Sequence, residues 1–128
     1  MEHMKFGSLE PIVVRVTLGD KDYVLVEPDE ATASRAEDAK MAGAKYDQDG
    51  KVVQIGSYNA GRAVMLQGCL FETAFNEHGT ELLERRKPVS LAWCQALKRQ
   101  ISDPLYDKLT EMGSMNKPKT NQEADAKN

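Results

Sequence analysis

A β-hairpin near the N-terminus is the feature of this sequence that most constrains the fold. Residues 12–18 are rich in β-branched side chains and alternate in their second half, and residues 23–27 form a second such run. Residues 19–22 between them are turn formers, so the two runs predict a hairpin. A two-stranded ribbon is marginally stable in water. One of its faces must therefore pack on helices, or further strands must join it.

Two helices are predicted in the middle of the chain. Asp29 supplies a capping side chain for the first, over residues 29–44, whose many alanines predict a close-packing helix at the surface. Ser57 or Asn59 can cap the second, which is expected to reach about Phe75 and to be the centre of the core because it carries a broad apolar face.

Residues 45–57, between these helices, have a different pattern. A polar turn is predicted over residues 47–50, and residues 51–55 are interpreted as either a short strand or an ordered loop. Tyr46 and Val52 could pair across that turn.

Two further helices are predicted towards the C-terminus. Pro88 can start the first, because proline is tolerated at the opening position of a helix, and residues 102–104 are expected to end it. Those same residues would cap the second, which is expected to stop at Gly113. The two helices would form a corner or hairpin.

These elements predict one α+β domain, with the N-terminal hairpin or a small antiparallel sheet packed on about four helices. The domain would span residues 12–112, after a flexible N-terminus over residues 1–11 and before a disordered tail over residues 113–128. A chain of 128 residues can bury a sufficient core without disulfides or metals.

Composition and charge exclude several classes of partner. A net charge of −3 does not favour nucleic-acid binding, which needs clustered Lys and Arg. The apolar runs are too short to span a membrane. Cys69 and Cys94 are predicted to be reduced, packed thiols, with a single disulfide left open.

The residues that could carry chemistry are few. Cys69 with His78 lacks a readable base and orienting group for nucleophilic catalysis, and two histidines supply too few ligands for structural zinc. The acidic turn at residues 47–50 lacks the closing carboxylate of a calcium loop, and the glycines of residues 56–68 do not form a phosphate loop. We therefore predict a non-enzymatic protein without a catalytic, cofactor or metal site.

The order of these features resembles the tail assembly chaperones of long-tailed bacteriophages. The resemblance is carried by residues 22–28 in the hairpin, by residues 62–71 ahead of Gly79, and by residues 89–112 with the closing Gly113. It covers nearly the whole expected domain.

The resemblance implies a function in virion assembly in the host bacterial cytoplasm. Such chaperones coat the long, helical tape measure protein, keep it soluble and help to recruit tail-tube protein around it. A longer form made by ribosomal frameshifting is common among them. A ring-forming head–tail connector or minor tail protein is the alternative, and a homo-oligomer is possible in either case.

A coating protein needs apolar surface that can lie against a helix. The two C-terminal helices supply more apolar side chains than short surface helices usually need. The predicted partner-binding residues are Trp93, Leu97, Ile101, Leu105, Leu109 and Met112. The unpaired edge of the hairpin is a second candidate.

Overall fold

The computed structural model describes residues 1–5, 7, 9–42, 45–54 and 57–115, and it confirms the α+β fold. The strands are β1 (Val13–Leu18), β2 (Lys21–Val26), β3 (Lys45–Tyr46), β4 (Val52–Gln54), β5 (Leu70–Thr73) and β6 (Lys87–Pro88). The helices are α1 (Glu30–Met41), α2 (Tyr58–Cys69), α3 (Leu91–Gln95) and α4 (Arg99–Met115), and a 3₁₀ turn covers Leu83–Arg85. β1, β2, β5 and β6 form one antiparallel sheet in that order, and β3 pairs with β4 separately.

The predicted hairpin is confirmed as β1 and β2. Gly19 adopts the positive φ of 66° that the turn requires, which glycine tolerates without strain. Val14 lies opposite Leu25 and Val16 opposite Tyr23, so these side chains share one face of the sheet. That face packs on α2, α3 and α4 and forms the core.

β5 corrects the expectation that the second helix continues to Phe75. The helix ends at Cys69, and the chain becomes extended at Leu70. Leu70 pairs with Leu25 and Phe71 with Val24 in the middle of the sheet. The pairing adds the third strand that the hairpin needs for stability.

Residues 74–86 cover the opposite face of the sheet. The Thr73 hydroxyl donates to the carboxylate of Glu81 at 2.7 Å, and Arg86 donates to both oxygens of that carboxylate. The guanidinium of Arg15 lies 4.0 Å from the centre of the Phe75 ring. This cover explains why Val24, on the face away from the helices, is only 1% exposed.

α1 lies at the surface, as its small residues predict, and buries only Thr32 and Ala36. It packs closely on α2, where a Cβ at Gly68 would lie 2.5 Å from Thr32 Cγ2. Asp29 caps α1 by accepting from Thr32 N at 2.7 Å. This bond lowers the pKa of the Asp29 carboxyl. α2 buries Gly61, Ala63, Leu66 and Cys69 and contacts the sheet, α1, α3 and α4, so it is the centre of the core as expected.

The two C-terminal helices divide at a different place from the one predicted. Pro88 lies in β6 at the edge of the sheet, where its missing N–H is tolerated, and Ser90 caps the short α3 instead. The break falls between Gln95 and Arg99, and α4 runs through Pro104 and past Gly113. Apolar residues 101, 105, 109 and 112 hold α4 on the core across the proline, and their packing outweighs the lost backbone bond.

The remaining predictions concern the segment between the first two helices and the C-terminal tail. Val52 pairs with Tyr46, as expected. Residues 43, 44, 55 and 56, at the ends of the predicted first helix and short strand, lie outside the described residues. Most of the predicted tail, residues 116–128, also lies outside them, whereas residues 113–115 belong to α4.

Gly68→Ala tests the close contact between α1 and α2. Because the added methyl would meet Thr32, we expect it to lower the free energy of unfolding by about 1–3 kcal/mol, measured by urea denaturation. Adding Thr32→Ala should recover part of the loss. Gly113→Ala is the control, because open space surrounds Gly113 in α4, and it should raise stability by up to about 1 kcal/mol.

Glu81→Gln tests the cover over the sheet. Hydrogen bonds from Arg86 hold the pKa of Glu81 below its usual range, so the ionised carboxylate stabilises the fold at pH values above the unfolded-state pKa. We expect the variant to be less stable by about 1–2 kcal/mol at pH 7. The difference should shrink as the pH falls through the folded-state pKa. A difference independent of pH down to 3 would contradict this assignment.

Candidate functional site

A cleft of about 490 Å³ opens between the start of α2 and the corner that joins α3 to α4. We call it the interhelix cleft. Its lining residues are Ser57, Asn59, Ala60, Arg62, Ala63, Leu66, Cys94, Gln95, Leu97, Arg99 and Ser102.

Backbone and capping bonds fix the two walls. Ser57 accepts from Ala60 N at 3.1 Å and so caps α2, while its own N–H donates to Lys40 O and ties the start of α2 to the end of α1. On the other wall, the N–H groups of Ile101 and Ser102 both donate to Lys98 O. The beginnings of two helices therefore lie beside the same space.

The floor of the interhelix cleft is apolar apart from Ser102. Ala60, Ala63 and Leu66 lie on successive turns of α2, and Cys94 and Leu97 come from the opposite wall. Burial raises the pKa of the Cys94 thiol to about 11, so the thiol is uncharged at neutral pH. The small alanines leave room for a side chain or a helix to approach closely.

A charged network forms the rim. Arg62 donates to the Asp103 carboxylate, and Arg99 Nε lies 3.7 Å from the second oxygen of the same group. Asn59 Oδ1 accepts from Arg62 Nη2 at 2.9 Å and from Arg99 Nη2 at 3.3 Å. The two guanidinium groups and one carboxylate leave the rim with a net positive charge. Arg99 is the most accessible of the three, with 69% of its side chain exposed.

Ser102 is the unusual residue of this site. It is 3% exposed, and its hydroxyl has no hydrogen-bond partner in the part of the chain that the structure describes. An unpaired buried hydroxyl costs about 1–3 kcal/mol. Such a group next to a cleft is a candidate for contacting whatever binds there.

The six predicted partner-binding residues do not form one exposed stripe. Leu105, Leu109 and Met112 are at most 8% exposed and belong to the core, which corrects their placement on a binding surface. Trp93 and Ile101 are half-buried against the core, and Trp93 stacks on Tyr23 with 5.5 Å between ring centres. Only Leu97 of the six lines the interhelix cleft.

The candidate chemical groups lie apart from the cleft or are buried. Cys69 is 1% exposed, and burial raises its pKa to about 12, whereas His78 is exposed and lies 3.5 Å from Glu77. Both cysteines are unpaired thiols. In the described ranges, no group of three His, Cys, Asp or Glu residues is arranged to hold a metal ion.

The sequence does not indicate the contact that builds the rim, although Arg99 and Asp103 have the i,i+4 spacing of a local helical pair. Arg62 and Asp103 are 41 positions apart, and nothing local to either predicts their contact. The capping role of Ser57 was predicted and is confirmed.

Comparisons with protein-family models, curated proteins and solved structures find no match to this chain. Among the helices of the described ranges, none has the length and apolar character needed to cross a membrane.

Ser102→Ala tests whether the buried hydroxyl is unpaired. Removing it should leave the free energy of unfolding unchanged or raise it by up to about 3 kcal/mol, because no bond within the described fold is lost and an unpaired buried group is removed. Ser57→Ala is the control, since it removes the cap of α2 and should cost about 1 kcal/mol. A loss of more than about 1 kcal/mol for Ser102→Ala, measured by denaturant unfolding, would show that the hydroxyl has a partner.

Proposed function

We propose that this protein functions by binding a helical segment of another protein in the interhelix cleft. The observation that carries the proposal is the combination of an apolar floor, formed by Ala60, Ala63 and Leu97, with a charged rim. This is the arrangement by which grooves bind amphipathic helices, whose apolar face enters while their polar flanks meet the rim.

The size and shape of the interhelix cleft support a segment of protein as the ligand. One wall is α2 and the other is the corner between α3 and α4, and the cleft opens to solvent along the rim, so that a helix of a partner could lie against both. Small residues on α2 would allow that helix to approach closely. The half-buried Trp93 and Ile101 stay predicted contacts, but Trp93 lines a separate depression with Tyr23 and Glu72.

The specific function that we propose is that of a phage tail assembly chaperone acting in the host bacterial cytoplasm. The order of elements supports it: a hairpin, a capped helix, a core helix and two C-terminal helices resemble that family. The ligand would then be the helical tape measure protein, which the chaperone keeps soluble, and tail-tube protein would join later.

A ring-forming connector or minor tail protein is the second candidate. The six-residue β1 lies at the edge of the sheet, and its outer side pairs with no strand of the described chain. Such an edge can extend a sheet into a neighbouring subunit. Native mass spectrometry separates the two candidates, because a stable closed ring of the isolated protein would favour the connector.

Ala60→Tyr tests helix binding in the interhelix cleft. The tyrosine would fill the space above the floor, so we expect at least about tenfold weaker binding of a tape measure fragment, measured by calorimetry. Ala31→Tyr is the matched control, because Ala31 is an exposed helical residue of α1, and it should bind normally. Equal thermal unfolding of both variants would establish that each is folded.

Two outcomes contradict different parts of the proposal. If co-expression with tape measure fragments gives neither a complex nor a gain in their solubility, the chaperone assignment is wrong. If a complex forms and both tyrosine variants bind equally well, the partner binds elsewhere on the protein.

A further inference from the structure

The interhelix cleft carries a polar feature that an apolar helix face would leave unused. Ser102 is 3% exposed, lines the cleft, and has a hydroxyl without a partner in the described residues. A hydroxyl can donate one hydrogen bond and accept others. The group that arrives in this cleft should therefore bring a hydrogen-bonding atom to Ser102.

The helix beginnings around this hydroxyl favour a negative group. α2 and α4 both start beside the interhelix cleft, and neither has an acidic residue in its first turn. The helix macrodipole makes such ends positive. α1 differs, because Glu30 lies in its first turn. The starts of α2 and α4 thus keep an attraction for an anionic ligand.

The charge of the rim selects the kind of anion. Arg62 and Arg99 face one carboxylate, that of Asp103, so a single positive charge is left over. A singly charged carboxylate would balance it, whereas a phosphate dianion would exceed it beside Asp103. The apolar floor of Ala60, Ala63 and Leu97 also suits methylene groups next to the charge.

We infer that the interhelix cleft binds the carboxylate of a glutamate side chain presented by the partner helix, with the Ser102 hydroxyl donating to it and Arg99 pairing with it. The inference rests on the proposed helix binding and names the residue that the partner presents. The methylenes of the glutamate would lie on the alanines of α2, and its oxygens would lie between the starts of α2 and α4.

The test uses a minimal ligand and the whole chain. N-acetyl-L-glutamate amide is titrated into ¹⁵N-labelled protein, with N-acetyl-L-glutamine amide as the uncharged control and inorganic phosphate as the competing anion. We expect saturable amide shifts at Asn59 and Ser102 with the glutamate compound, and no saturation with the glutamine compound.

Ser102→Ala should weaken the binding of the glutamate compound by at least about fivefold, since it loses a hydrogen bond to a charged group. Ser34→Ala is the matched control, because it makes the same change at an exposed position of α1, and it should bind as the parent does. Arg99→Gln should also weaken binding, and should do so less at high salt.

Three results would overturn the inference. Tighter binding of phosphate than of the glutamate compound would mark a site for a free oxyanion. Equal binding of the glutamate compound by Ser102→Ala and by the parent protein would show that the hydroxyl does not contact the ligand. Binding that appears only when residues 116–128 are deleted would make the chain's own Glu123 or Asp125 the occupant.

The two proposals fail separately. If a tape measure fragment binds and Ala60→Tyr abolishes that binding, but the glutamate compound causes no saturable shift, helix binding stands and the glutamate contact is wrong. If the glutamate compound binds but no helical fragment does, the anion site stands by itself. It is then no longer a feature of partner binding, and the inference as stated is wrong.

Discussion

Pairing of β5 with β2 is the interaction on which the rest of the structure depends. α2 ends at Cys69 and β5 begins at Leu70, so no loop separates the central helix from the sheet. The pairing of Leu70 with Leu25 therefore fixes where α2 lies along the strands. α2 in turn holds α1 through its close glycine contacts and presents Leu66 to the core that α3 and α4 complete. The interhelix cleft is positioned by this one pairing.

Local sequence signals predicted the secondary-structure elements that form because of residues close together in the chain. The hairpin follows from alternation and a glycine turn, and the starts of α1 and α2 follow from the capping side chains of Asp29 and Ser57. β5 has no such signal. Leu70 and Phe71 continue the apolar pattern of α2, and only their pairing with β2, distant in sequence, makes them a strand. The boundary predicted at residues 102–104 is wrong for the opposite reason. The packing of the whole of α4 on the core outweighs the local tendency of Pro104 to interrupt a helix.

The candidate site was harder to predict than the fold. An apolar stripe looks the same in sequence whether it faces a core or a partner, and Leu105, Leu109 and Met112 face the core. The resemblance implied the kind of binding but not its place. The rim joins Arg62 to Asp103 across 41 positions, and the orphan hydroxyl of Ser102 is recognisable only when its surroundings are known. The contact of Arg62 with Asp103 and the unpaired state of Ser102 are thus visible only in the folded chain.

The direct passage from α2 into β5 also governs the order in which the chain can fold. β1 with β2, and α1 with α2, are each near neighbours and can form early from local contacts. The pairing of β2 with β5 instead closes a loop of residues 27–69, at an entropic cost of about 3 kcal/mol. Until that closure, the apolar face of the hairpin is uncovered. A chain of this topology has its aggregation risk in the interval between the hairpin and the finished sheet.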